Sequence, residues 1–333
     1  MIACRPGSVV QRLARRRGVQ TIPVLLRGPA DVSSARTLRG YLARHGVPVI
    51  HAHDRVSQHL SVTATFGGAA ARVTSLRGGD LPRRGLAGLL GRVGVDRWIT
   101  VSERLAGDLA GRSVDPSRVS VMPRGVAVGT CDHPRGPRRG AALAPLGLAS
   151  HAGPVIVTAA CLSRHEGLSQ LVTAGAHLRA LRDDAVILIV GAGEQRHFLE
   201  AQVAREALSD TVRLPGFVDD IDPLLAAADV YVAPAAGNGF HSAIVRAMAA
   251  GLPVVATDTG DARDLIAHER SGVLVPPNDP HAIAQAVHRV LSHPEWAAGL
   301  ANSGRRLVGE RHSVAAMVHG HRKLYAQLVD GHR

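Results

Sequence analysis

From about residue 154 onward the chain alternates short apolar runs with stretches of helical period, a rhythm that few folds other than a parallel sheet of βα units can absorb. Val155–Ala159, Ala185–Val190, Val212–Leu214, Val230–Ala233, Leu252–Ala256 and Gly272–Val275 read as strands. Leu168–Leu181, Glu194–Leu208, Pro223–Ala228, Phe240–Ala250 and Ala262–Ala267 read as the helices between them, with Gly251 closing the fourth. A complete doubly wound domain fits within 154–293.

The first 130 residues repeat this style less fully. Val19–Leu26, Pro48–His51, Ala71–Ser75 and Trp98–Val101 are the expected strands, and Ser102–Gly111 is a helix with Ser102 as its N-cap. Residues 131–153, rich in Pro, Gly, Ala and Arg with little period, are the expected linker. Residues 294–333 read as helices that cross back to brace the first domain.

At 333 residues with 46% hydrophobic composition, the chain is long enough for two domains. The apolar runs fall far short of the roughly 20 residues of a membrane span. The opening Met1–Gly7 shows no basic region followed by an apolar core, so a secretory signal is not expected and the cytoplasm is the default compartment. Cys4, Cys131 and Cys161 are scattered and odd in number, which argues against a disulfide framework and a zinc site. Charge is uneven: residues 1–150 carry +15 and residues 151–333 carry −3. Since 38 of the 39 basic residues are Arg, one reading is coding bias; the other is a face suited to an anionic surface, such as the inner leaflet of a membrane or an anionic acceptor. Nucleic acid fits poorly, because aromatic residues make up 3% of the chain and no stacking platform is visible.

Several segments together resemble the GT-B glycosyltransferases of family 4. They are Val101-Ser102-Glu103, Val121-Met122-Pro123-Arg124-Gly125-Val126, Leu214-Pro215-Gly216-Phe217-Val218, the run Asn238 to Ala256, and Ser271 to Pro280. The resemblance implies an α/β fold of two Rossmann-like doubly wound domains facing across a cleft, with a nucleotide-diphosphate sugar bound along the carboxyl ends of the second sheet. It implies transfer of the sugar with retention to a glycan or lipid-linked acceptor, without a cofactor or a metal held by protein ligands.

The same resemblance places the site residues and shows where this chain departs. The family's two Glu positions, eight apart, hold Asn238 and Arg246. Asn238 keeps a hydrogen bond to a sugar hydroxyl without negative charge, whereas Arg246 accepts no hydrogen bond and would reach a phosphate instead. Gly239, Phe240, His241 and Ser242 offer backbone amides at a helix start. In the loop after the first strand of this domain the family's Arg and Lys positions hold Cys161 and Glu166, leaving Arg164 as the cation that could replace them. Phe217 belongs to the base-binding turn and Gly193 to the nucleotide-sugar turn. Gly191-Ala192-Gly193 alone would also fit a dinucleotide fingerprint, but the third glycine position is Arg196; a plain tight turn is the remaining reading. His51-Ala52-His53 puts two imidazoles on one face of a strand end. For His53 a role facing the reacting sugar, a structural role and a metal pair are the alternatives, the last lacking a downstream partner cluster.

Relative to the family, the chain begins on what resembles the second strand, Ile2–Cys4. A doubly wound sheet without its central strand has two open edges and an uncovered apolar face. A later-than-true start or a protein partner would each account for this. The expected functions are thus a glycosyltransferase with an altered donor site, a catalytically impaired relative acting as a binding or partner subunit, and a sugar-nucleotide epimerase, for which no acid and base side chains stand out.

Overall fold

The computed structural model describes residues 1–28, 31–76, 81–82, 94–128, 137–235 and 242–331, which divide into two compact units. The first comprises Met1–Pro123 with Val318–Arg333 and the second Arg124–Met317.

In the first unit β1 (Ile2–Cys4) and β2 (Thr21–Pro23) pair in parallel, joined by α1 (Val9–Arg16). β2 is far shorter than the expected Val19–Leu26, and Pro23 at its end has no amide to extend a ladder. The helix α2 (Val32–His45) starts on the Asp31 carboxylate, which accepts the Ser34 amide at 3.1 Å, and ends at Gly46 with φ +55°. β3 (Val49–Ala52), β4 (Ala71–Leu76), β5 (Arg97–Thr100) and β6 (Val119–Val121) form a second parallel sheet in that order. β6 is not among the expected strands, because its three half-buried residues carry too little pattern to show one. Asp54 and Ser57 form a capping box at the start of α3 (Arg55–Ala64), and Ser102 caps α4 (Glu103–Ala110). Leu324 and Leu328, from the end of the chain, pack on Ala71, Val73 and Ile99.

The second unit holds a continuous six-stranded parallel sheet. β7 (Val155–Ala159), β8 (Val186–Val190), β9 (Val212–Gly216), β10 (Val230–Ala233), β11 (Val254–Thr257) and β12 (Val273–Val275) lie in the order β12-β11-β10-β7-β8-β9. Successive residues serve opposite faces. Val155, Val157, Val186, Leu188, Val190, Tyr231 and Ala233 enter one core, while Ile156, Ile187, Ile189, Val230 and Val232 enter the other. Burial on both faces is what makes β8 an unbroken apolar run. Helix α5 (Pro137–Leu143) precedes these strands, and α6 (Leu168–Leu181), α7 (Arg196–Arg205), α8 (Asp222–Ala227), α9 (Ser242–Ala249), α10 (Gly260–Leu265), α11 (Pro280–Ser292) and α12 (Pro294–Arg311) alternate with or follow them.

The expected linker differs most from the structure. Within its described part, α5 (Pro137–Leu143) and a short 3₁₀ turn (Ala144–Leu146) bring Leu143 and Leu148 into the core beside Leu224 and Leu225. Arg139 forks onto Asp229 with contacts of 3.0 and 2.9 Å, and the same carboxylate accepts the Val155 amide at 2.8 Å. Two leucines among small residues are too few to register as a period. The C-terminal helices also divide: α12 stays with the second unit, and of α13 (Val314–Asp330) the part from Val318 belongs to the first.

Candidate donor-binding site

The strand order of the six-stranded sheet reverses once. The chain runs from β7 outward through β8 to β9, then returns to lay β10 on the other side of β7. The loops leaving β7 and β10 at their carboxyl ends must therefore part, and a crevice between them follows from topology alone. A cavity of about 150 Å³ lies there. Thr158 to Cys161 and Glu166 line it from the β7 side, Ala233, Pro234 and Ala235 from the β10 side, and Ser242 and Ala243 from the start of α9.

Tyr231 also lines the cavity, with its ring buried and its hydroxyl donating to the Ala159 carbonyl at 3.3 Å and accepting the Ala159 amide at 3.4 Å. Burial pushes this phenol up to about 12, so it stays protonated at neutral pH and acts as a neutral wall. The sequence reading did not single it out; an apolar strand with one Tyr carries no local sign that the hydroxyl ends in a crevice.

The loops after β7 and β8 are zipped together by backbone bonds. Ala160 donates to Val190, Leu162 to Ala192 and Gln195 to Leu162, at 3.0, 2.9 and 2.9 Å. Such an approach leaves no space for side chains. A Cβ on Gly191, whose φ is +146°, would lie 1.9 Å from the Ala160 carbonyl oxygen, and one on Gly193 would lie 2.4 Å from that of Leu162. Gly193 is thus a support that sets the loop carrying Cys161 and Glu166. The loop then makes one 3₁₀ turn (Arg164–Glu166), and Gly167, at φ +64°, leads into α6.

Glu166 is the charged side chain among the lining residues, and the exposed Arg164 is not one of them. Arg246 is likewise committed elsewhere. Its Nη2 and Nε donate to one Asp222 carboxylate oxygen at 2.6 and 3.1 Å, with Asp220 at 3.8 Å. Phe217, 71% exposed, follows Gly216, whose carbonyl accepts the Gly191 amide at 2.9 Å; its position is therefore fixed at the same carboxyl end of the sheet, outside the cavity lining. Ser242 lines the cavity, whereas Asn238, Gly239, Phe240 and His241 lie outside the described residues.

In the first unit His53 follows β3, exposed, with its ring centroid 4.2 Å from that of His51. His51 is the more tightly held of the two. Its Nδ1 meets the Tyr325 hydroxyl at 2.6 Å and its Nε2 the Ser75 hydroxyl at 2.7 Å, contacts across 274 and 24 positions that no sequence spacing announces. Among the described residues, no three His, Cys, Asp or Glu side chains gather as a metal site.

Parallel sheets flanked by helices in both units, with a crevice at the switch point of the six-stranded sheet, define the class as a Rossmann-like α/β protein of GT-B type. Residues 2–129 match Glycosyltransferase Family 4, and residues 153–293 match Glycosyl transferases group 1. The chain belongs to the family 4 glycosyltransferases of GT-B fold. It is 31% identical to the D-inositol 3-phosphate glycosyltransferase of Salinispora tropica over 80% of this chain and 57% of that one. It is 28% identical to the 2-deoxystreptamine glucosyltransferase of Streptomyces kanamyceticus over 78% of this chain and 62% of that one. With an uncharacterized glycosyltransferase of Methanocaldococcus jannaschii included, it spans 39% to 62% of the length of these relatives. Among solved structures, Anabaena HepE in complex with UDP superposes with a TM-score of 0.84 at 18% identity, covering 98% of this chain and 92% of HepE. A Rickettsia africae glycosyltransferase gives 0.83 at 18% identity, covering 97% and 88%. Among the described residues no helix is long and apolar enough to cross a membrane.

Proposed function

We propose that this chain transfers a sugar from a nucleotide-diphosphate donor, with retention, to a glycan or lipid-linked acceptor. The observation that carries the reading is the cavity at the switch point between β7 and β10, with the start of α9 on its wall. An anionic leaving group placed there would lie beside the start of α9, where helix amides without an intrahelical partner favour negative charge as the glycosidic bond to the diphosphate breaks. HepE, which shares this fold, is in complex with UDP in its solved structure, which supports a nucleotide as the ligand here. Asn238, Gly239, Phe240, His241 and Ser242 are assigned to the sugar and diphosphate, Phe217 to the base, Arg164 to the developing charge and His53 to the reacting sugar. The basic first half suits a phosphate-bearing or membrane-surface acceptor at the inner leaflet.

Glu166 favours a second reading, a binding subunit without turnover. A carboxylate in the crevice repels the diphosphate that the site must hold, and Arg246, neutralised by Asp222, does not offset it.

Calorimetric titration with a panel of UDP-, GDP- and dTDP-sugars, followed by assay of donor hydrolysis, separates these readings. Saturable binding with slow hydrolysis supports the transferase. Binding without hydrolysis or transfer moves the assignment to the partner subunit, and absence of binding to every donor overturns both.

A further inference from the structure

The cavity at the switch point carries charge of the wrong sign for a diphosphate. Glu166 is the charged side chain on its described wall, half-buried and, among the described residues, in no ion pair. Residues 234–241, which follow β10, contain no Lys or Arg, and residues 191–195, which follow β8, add Glu194 and no cation. Arg164 is not on the described wall, and Arg246 is tied to Asp222. A diphosphate seated here meets a like charge at short range, with no basic side chain on the described wall to offset it.

The oxygen atoms of the cavity suit a different partner. Tyr231 contacts the Ala159 backbone at 3.3 and 3.4 Å, longer than is usual for a hydroxyl. Thr158, 1% exposed, has its hydroxyl beside that phenol without a hydrogen bond of good geometry. Buried hydroxyls are ordinarily paired, so these two call for a ligand that brings hydrogen bonds with it. Glu166 is close enough that its charge, after burial, also opposes ionisation of the phenol, and Ser242 adds a further hydroxyl at the start of α9.

A hydrated magnesium ion meets each of these conditions. Magnesium binds through one or two carboxylates plus the phosphate oxygens of a substrate rather than in an all-protein cage, and it keeps several waters that need hydrogen-bond acceptors. Among the described residues no three His, Cys, Asp or Glu side chains gather, and a site completed by its substrate does not require them. We propose that Glu166 holds a divalent cation of the magnesium class whose remaining ligands are the donor's diphosphate and water, with the Thr158, Tyr231 and Ser242 hydroxyls receiving the waters. This rests on the cavity being the donor site, and it departs from the metal-free site with basic side chains that the family resemblance implies. The cation reverses the sign of the site and takes the charge that builds on the leaving diphosphate as the glycosidic bond breaks.

The test is calorimetric titration of the whole chain with UDP, GDP and dTDP, in EDTA and in magnesium chloride, for the parent, Glu166→Gln and Glu166→Lys. Magnesium is expected to tighten binding of the preferred diphosphate by about tenfold in the parent and by less than about twofold in Glu166→Gln. Glu166→Lys, which carries its own cation, is expected to bind in EDTA as tightly as the parent does in magnesium, with no further gain when magnesium is added. Manganese gives a direct readout: its solution EPR signal should fall further with parent and diphosphate together than with diphosphate alone, and Glu166→Gln should abolish that difference. Equal magnesium effects in the parent and Glu166→Gln, or none in either, overturn the proposal and leave the donor site standing. Absence of diphosphate binding in all three proteins under both conditions overturns the donor site and the cation with it. A preference for UDP-glucosamine over UDP-glucose in EDTA, lost in Glu166→Gln and with no gain from magnesium, assigns the carboxylate to an ammonium group and overturns the cation alone.

Discussion

The sheets of the two units are made by the same rules and end differently. In the second unit every strand has its neighbours, each face its helices, and the runs of β7, β8 and β10 are buried throughout or nearly so. In the first, strands of three to six residues fall into two sets, and exposed apolar side chains cluster in α1. A sheet is as legible as it is complete. Residues buried on both faces must be apolar at every position, whereas a strand with an open edge or face is released from that requirement.

The largest expected effect falls on the complete sheet. Leu188 is fully buried, so Leu188→Ala should cost about 3–5 kcal/mol in denaturant unfolding. Leu13→Ala, on the uncovered helix, should cost below about 0.5 kcal/mol in the given chain. Similar losses at both positions would break the contrast between the two sheets.

Asp229→Asn tests whether the segment around α5 belongs to the second core. It removes the charge that Arg139 forks onto, in a pair whose side chains are 18% and 33% exposed. Discounted for that partial exposure, the loss should be about 2 kcal/mol. A loss near zero would return 137–148 to the status of a tether.

The site gives a smaller effect of opposite sign. Glu166→Lys should tighten binding of UDP by about tenfold, roughly 1.4 kcal/mol, if the cavity is where the diphosphate sits. Calorimetry reads this directly, and unchanged affinity would place the diphosphate elsewhere.

Smallest is the acid limb of stability, to which both units contribute. Hydrogen bonds, led by that of the Ser34 hydroxyl, hold the Asp31 carboxyl well below the usual range, and the Arg263 guanidinium lowers Asp258. Depressed folded values stabilise above the unfolded carboxylate range, and that contribution fades as pH falls through them. Thermal melts of Asp31→Asn and Asp258→Asn from pH 7 to 2 should therefore show a flatter acid limb than the parent, and parallel curves would remove these groups from the account.

Part of the candidate site was legible and part was not, for one physical reason. Gly193 stood out because the family resemblance placed it in the nucleotide-sugar turn, and in the structure it packs against Leu162 too closely for a side chain. Arg246 stood out as a misplaced charge, but its neutralisation by Asp222, 24 positions earlier, could not be read from its own helix. Tyr231, His51 and the Asp229 fork escaped because their partners are set by how strands stack.

The sequence by itself determined the βα rhythm, the second doubly wound domain, the capping residue Ser102 and the glycines at forced turns, since each rests on interactions within a few residues. Tertiary structure alone decided that Leu143 and Leu148 are core, that Glu166 rather than Arg164 lines the cavity, and that β1 and β3 each pair with a described strand along one edge only. Those outcomes depend on contacts between distant segments, and only the folded chain brings such segments close enough for packing and charge to choose.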